Sequence, residues 1–220
     1  MKIENLEKRA KDALVKCLRD VPFLKIDPDV ARPKTEQTGP DIRIALQLSG
    51  NTKGIIAEAK NNGEPRYARQ AANQILRYSG EFPNEYGVFI APYISPRSAA
   101  ICREARIGYV DLAGNCHLSF GQVYVHKEGR PNPYTRRRYL RSLYSPKAER
   151  VLRVLLMSGP KEWKVEELAN EADVSLGLVS HVKKRLADQE WIRSRRIGFS
   201  LTDPFSLLDE WAQNYNYRRN

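Results

Sequence analysis

The stretch GPDIRIALQLSGNTKGIIAEAK, residues 39–60, decides how the first half of this chain folds. Ile42, Ile44, Leu46 and Leu48 alternate with Asp41, Arg43, Ala45 and Gln47, the two-residue period that sends successive side chains to opposite faces of a strand. SGNTKG, residues 49–54, reads as a turn, and GIIAEAK, residues 54–60, as a second strand. Residues two apart on a strand share a face, so Glu58 and Lys60 point one way and Ile55, Ala57 and Ala59 the other. Pairing of the two strands across the turn brings Asp41, at the start of one, beside Glu58, near the end of the other.

Outward from this hairpin the patterns alternate. Ile3, Leu6, Ala10, Ala13, Leu14 and Cys17 recur at helical spacing and predict an amphipathic helix over 2–19. After the hairpin, PRYARQAANQILRYSG (65–80) reads as a helix and YGVFIAPYI (86–94) as a buried strand. SPRSAAICREARIG (95–108) reads as a helix opened by Ser95 as N-cap with Pro96 at its first position, and GYVDL (108–112) as a strand. Asp111 with Gly114 and Asn115 has the composition of a hairpin turn. The expected fold class is α/β, a mixed sheet flanked by helices.

Two clustered carboxylates repel one another unless a cation sits between them, and a hard divalent ion such as Mg²⁺ or Mn²⁺ prefers oxygen ligands. Asp41, Glu58 and the backbone carbonyl of Ala59 form such a set, and Lys60 is placed to orient or deprotonate a water attacking a phosphodiester. Each residue also has an ordinary use: Asp41 as a turn residue after Gly-Pro, Glu58 and Lys60 as an ion pair on a half-exposed strand.

Pro40-Asp41 followed by Glu58-Ala59-Lys60 resembles the motif of the PD-(D/E)XK nuclease superfamily. Gln74 through Tyr78, QILRY, is similar to the Gln-x-x-x-Tyr motif of RecB-type members, with Gln70 one turn earlier on the same stripe. SPRSAAICREARIGYVDLAGNCHLSF (95–120) looks like the closing helix and strand of Mrr-type restriction endonucleases. The resemblance covers about residues 2–126. It implies a restriction-endonuclease-like fold, catalysis by Asp41, Glu58, Lys60 and Gln74, and a metal ion held by Asp41, Glu58 and Ala59, with Glu7 as a further acid from the first helix. His117 and His126 lack partners at metal-ligand spacing and read as structural.

Beyond KEGRPNPYTRRR (127–138) the pattern turns helical. Ala148, Val151, Leu152, Leu155 and Leu156 mark one helix, ended at Ser158-Gly159-Pro160. KVEELANEADVSLGLVSHVKKRLADQEWI (164–192) resembles the winged helix-turn-helix of bacterial regulators, across roughly residues 145–203. The resemblance implies a recognition helix presenting Ser180, His181, Lys183 and Lys184 to the major groove of double-stranded DNA, and a wing whose Arg193, Arg195 and Arg196 contact backbone phosphate. A plain three-helix bundle kept soluble by the same lysines is the competing reading. Leu207, Leu208 and Trp211 of the tail either cap this domain or form a homodimer contact. The expected organisation is a nuclease-like domain at 1–128, a basic linker at 129–144, and the DNA reader at 145–220.

Charge agrees with a polyanionic partner. The chain of 220 residues carries a net charge of +11. Residues 1–130 hold 20 basic against 15 acidic side chains, and residues 131–220 hold 17 against 11. From Arg130 to Lys147 the six basic residues, Arg136, Arg137 and Arg138 among them, face no acid, a composition suited to tracking phosphates. No window reaches the ~18 to 20 apolar residues of a membrane span, so no membrane association is expected and the cytoplasm is the expected location. The three cysteines, Cys17, Cys102 and Cys116, show no zinc or disulfide spacing and read as reduced, half-buried thiols. Two functions compete: a Mg²⁺- or Mn²⁺-dependent DNA endonuclease of restriction or repair type, and a transcriptional regulator or antitoxin with an inactive nuclease-like domain. For the second, IGYVDLAGN (107–115) is similar to regulators of AbiE-type toxin-antitoxin systems.

Overall fold

A computed structural model describes residues 3–27, 39–48, 51–134 and 143–214. The chain divides into two compact units, with the boundary between Tyr134 and Thr135.

The first unit is a seven-stranded mixed sheet between helices. The helix α1 (Ile3–Leu18) is followed by β1 (Lys25–Asp27), β2 (Ile42–Leu48), β3 (Asn51–Ala59), α2 (Pro65–Tyr78), β4 (Tyr86–Ala91), α3 (Pro96–Glu104), β5 (Gly108–Asp111), β6 (Cys116–Phe120) and β7 (Val123–Lys127). The strands lie side by side in chain order. β3, β4 and β5 run parallel, joined through α2 and α3, and every other neighbouring pair is antiparallel. Parallel strands reached by helical crossovers are covered on both faces and read as unbroken apolar runs. Ile55-Ile56-Ala57 in β3 and Val88-Phe89-Ile90-Ala91 in β4 are such runs, all fully buried.

The sheet has a different core on each face. Leu14, Leu18, Ile44, Ile55, Ala57, Val88 and Ile90 pack on one side with α1. Ile56, Phe89, Ala91 and Tyr109 pack on the other with Ala68, Ala72 and Ile75 of α2 and Ala99 and Cys102 of α3. At the start of α3 the Ser95 hydroxyl accepts a hydrogen bond from the Ser98 N–H, with Pro96 at the first helical position. Asp111 is buried and accepts from the backbone N–H and side-chain amide of Asn115, both at 2.8 Å, which shapes the β5–β6 turn.

Three strands add to the expected set. β1 has only three residues, and β6 and β7 form a hairpin around Gly121 whose residues alternate between buried and more exposed. β3 also begins three residues earlier than the apolar pattern, because Leu48 pairs with Asn51 and the ladder runs almost to the turn. The cysteines are more deeply placed than expected, with Cys17 6%, Cys102 0% and Cys116 1% exposed.

The second unit packs α4 (Pro146–Met157), α5 (Val165–Glu171) and α6 (Leu176–Asp188) against a hairpin of β8 (Ile192–Ser194) and β9 (Phe199–Leu201), and ends in α7 (Pro204–Asn214). Trp163, before α5, exchanges backbone hydrogen bonds with Phe199, adding a one-residue third strand to the hairpin. A Cβ at Gly198 would stand 2.6 Å from the Trp163 carbonyl oxygen, so only glycine permits that approach. Val151, Leu152, Leu155, Val179, Leu186, Trp191 and Phe199 fill the core. Leu207 is fully buried and Trp211 packs on the core while its indole N–H donates to Glu149, so these two cap the unit; Leu208 stays exposed. Among the described residues no helix is long and apolar enough to cross a membrane.

Candidate functional site

In the β2–β3 ladder Ile42 pairs with Ala57. One step further along the antiparallel register sets Asp41 opposite Glu58. The Asp41 carboxylate accepts a hydrogen bond from the Ala59 N–H at 2.8 Å, which pins it to the end of β3. The Lys60 N–H continues the pairing by donating to the Ile90 carbonyl. Lys60 Nζ lies 2.7 Å from Glu58 Oε2. Chain direction and register, then, bring Asp41, Glu58 and Lys60 together.

Glu58 follows Ile56 on the face covered by α2, which explains how a glutamate comes to be 1% exposed. Helix α2 contributes Tyr78, whose hydroxyl donates to the Gly39 carbonyl at 3.3 Å and favours the charged form of the nearby Glu58 carboxylate. Burial pushes the Glu58 carboxyl above its ordinary range, and Asp41 adds to that effect, while Lys60 and Tyr78 act against it. The Tyr78 hydroxyl is pushed up to about 12, first by burial and then by the Glu58 and Asp41 charges. One turn before Tyr78, Gln74 holds its side-chain oxygen buried without a hydrogen-bond partner. Such an oxygen is costly unless something polar reaches it. Gln70, one turn earlier still, is exposed.

Glu7 does not complete the cluster. Among the described residues no three His, Cys, Asp or Glu side chains gather as a metal-holding group. Leu6, Ala10 and Leu14 turn α1 onto the sheet, and Glu7 stands half-buried beside that stripe. Tyr78 is visible in the sequence as the end of the Gln-x-x-x-Tyr run, but its contact with Glu58 follows only from the packing of α2. His117 and His126 pair across β6 and β7 with Nδ1 atoms 3.3 Å apart, among Tyr109, Tyr124 and Glu128.

In the second unit Ser180, His181 and Lys184 are exposed on α6. Lys183 is half-buried, its ammonium 5.0 Å from the centre of the Phe199 ring. Arg193, Arg195 and Arg196 are exposed in the hairpin, which the Arg195 N–H closes by donating to Gly198. Arg136, Arg137 and Arg138 lie outside the described residues. No family model, curated protein or solved structure matches the chain.

Proposed function

We propose that this protein is a divalent-metal-dependent DNA endonuclease of restriction or repair type, with a PD-(D/E)XK-like first unit and a winged helix-turn-helix as the second. The observation that carries the reading is the convergence of Asp41, Glu58 and Lys60 at the adjoining ends of β2 and β3. Gln74 and Tyr78 reinforce it from the helix that covers the same face.

The donor set fits Mg²⁺ or Mn²⁺. Mg²⁺ keeps several of its waters and takes one or two carboxylates together with substrate phosphate oxygens, so two acids suffice, and the buried Gln74 oxygen is left wanting a polar neighbour. Asp41, Glu58 and the Ala59 carbonyl would hold the ion, which when bound supplies charge neutralisation at the phosphodiester. Lys60, held against Glu58, orients the attacking water and offsets charge on the phosphate. Gln74 accepts a hydrogen bond from that water, and Tyr78 fixes the Glu58 carboxylate. The second unit supports duplex binding through the exposed face of α6 and the three arginines of its hairpin, in the manner of helix-in-groove readers with phosphate-contacting wings.

A regulator or antitoxin is the second reading, favoured by one observation: among the described residues no third acid joins the two carboxylates. Supercoiled plasmid incubated with Mg²⁺, with Mn²⁺ and with chelator separates the two. Nicking that needs the metal and falls at least about 100-fold in Lys60→Ala, the scale of one positioned catalytic group, is the expected result. Intact plasmid throughout, or equal nicking by the variant, leaves the regulator.

A further inference from the structure

We propose that Cys17 and Cys116 form a reversible intrachain disulfide, an oxidative modification site served by hydroperoxides entering a cavity between α1 and the β5–β6 turn. The two residues are 99 apart in the chain, yet their sulfurs stand 2.6 Å from one another. A disulfide spans about 2.05 Å, so roughly half an ångström of closure joins them. Both are free thiols, and both line a cavity of about 190 Å³. That is several times the ~30 Å³ share of one water, so a small peroxide fits. Exposed Lys16, Asp20 and Arg130 line the same cavity, which connects it with the surface.

Lys127 lines the same cavity and favours the thiolate form at both sulfurs. One of the two acts as the attacking thiolate and the other as the resolving thiol. The attacking sulfur bonds to one peroxide oxygen as the O–O bond breaks, and the departing oxygen takes up a proton. The second sulfur next attacks the resulting sulfenic acid; the S–S bond forms, and the hydroxyl leaves as water with the second thiol's proton. Two thiols lose two electrons, and the hydroperoxide is reduced to water and an alcohol, or to two waters from hydrogen peroxide. Cys102 packs in the other core, against α2, and its thiol is pushed up to about 12 by burial, so it takes no part. The site uses none of the residues assigned to DNA cleavage.

The test treats the purified full chain with hydrogen peroxide, then counts thiols, measures intact mass and maps peptides without reduction. Expected are a fall from three thiols to one, loss of two hydrogens, and a Cys17–Cys116 linked peptide. The melting temperature should rise by about 5 °C or more, reversed by dithiothreitol, since the bond closes a long loop. Cys17→Ser and Cys116→Ser should each instead stop at an oxyacid of the cysteine that remains. Three surviving thiols, a link to Cys102, or oxidation of Cys17 or Cys116 in the parent chain with the other left free overturns the proposal; the wild-type peptide map decides even if neither variant folds.

Discussion

Glu58 is an acid placed where its charge is disfavoured, inside the sheet's helix-covered face with Asp41 beside it. Its carboxyl is raised in the folded protein, so its linkage to folding has a definite sign. The favourable contribution is fully present below the ordinary carboxylate value and is lost as pH rises through the raised one. In chelator at pH 8, Glu58→Gln should therefore melt a few degrees above the parent chain, with the difference closing as pH falls below about 4. Millimolar Mg²⁺ should raise the parent's melting temperature and leave the variant's unchanged. Differential scanning calorimetry across pH reads both effects, and a variant less stable than the parent at pH 8 contradicts this account of the buried charge. The pairing of Asp41 with Glu58 was legible because alternation fixes each strand's face and the short turn fixes the register. Glu58's burial and its contact with Tyr78 were not, since they depend on how α2 lies across the strand.

Three helices end alike. After α3, α5 and α6 the chain passes through Arg106, Asp173 and Glu190 with φ of 57°, 51° and 59°. In each case the left-handed residue donates its N–H back to the third residue before it, and the next residue donates to the fifth before it, as Ile107 does to Cys102 and Trp191 to Leu186. This is the Schellman stop, in which the following apolar residue packs back on the helix; glycine is its usual left-handed residue. Left-handed backbone costs a side-chain-bearing residue about 1–2 kcal/mol. Glycine loses up to about 1 kcal/mol of that gain through its freer unfolded chain. Arg106→Gly should therefore stabilise the first unit by about 0.5 kcal/mol in urea denaturation, and Arg106→Ala should not; equal effects would mean the φ angle is unstrained. The helix ends were hard to read because the expected glycines are missing. The helix bodies, strands β2 to β5 and the Ser95 cap were readable from periodicity and capping chemistry. β1 was not, being too short to show a period, whereas β6 and β7 carry one: Cys116, Leu118, Phe120, Val123 and Val125 are buried in alternation with His117, Ser119, Tyr124 and His126, so that hairpin was legible.

At the scale of the whole molecule, two units with separate cores share one chain and a net charge of +11. In the proposed division of labour the second unit supplies affinity and the first supplies chemistry. Removing one phosphate-neutralising side chain lowers the slope of log affinity against log salt by roughly 0.9. Replacing Arg193, Arg195 and Arg196 with Ala should flatten that slope by up to about 3 in fluorescence anisotropy with duplex DNA, and weaken binding evenly across unrelated sequences. An unchanged slope would mean the hairpin does not touch the backbone. Tethering also fixes how nicking responds, because a bound second unit raises the local concentration of DNA around the first. The triple arginine variant should need more DNA to reach half its maximal rate while keeping that maximum, whereas Lys60→Ala should lose the maximum at any DNA concentration. A triple variant whose maximal rate fell as far as that of Lys60→Ala would place the hairpin in the chemistry and undo the division between gripping and cutting.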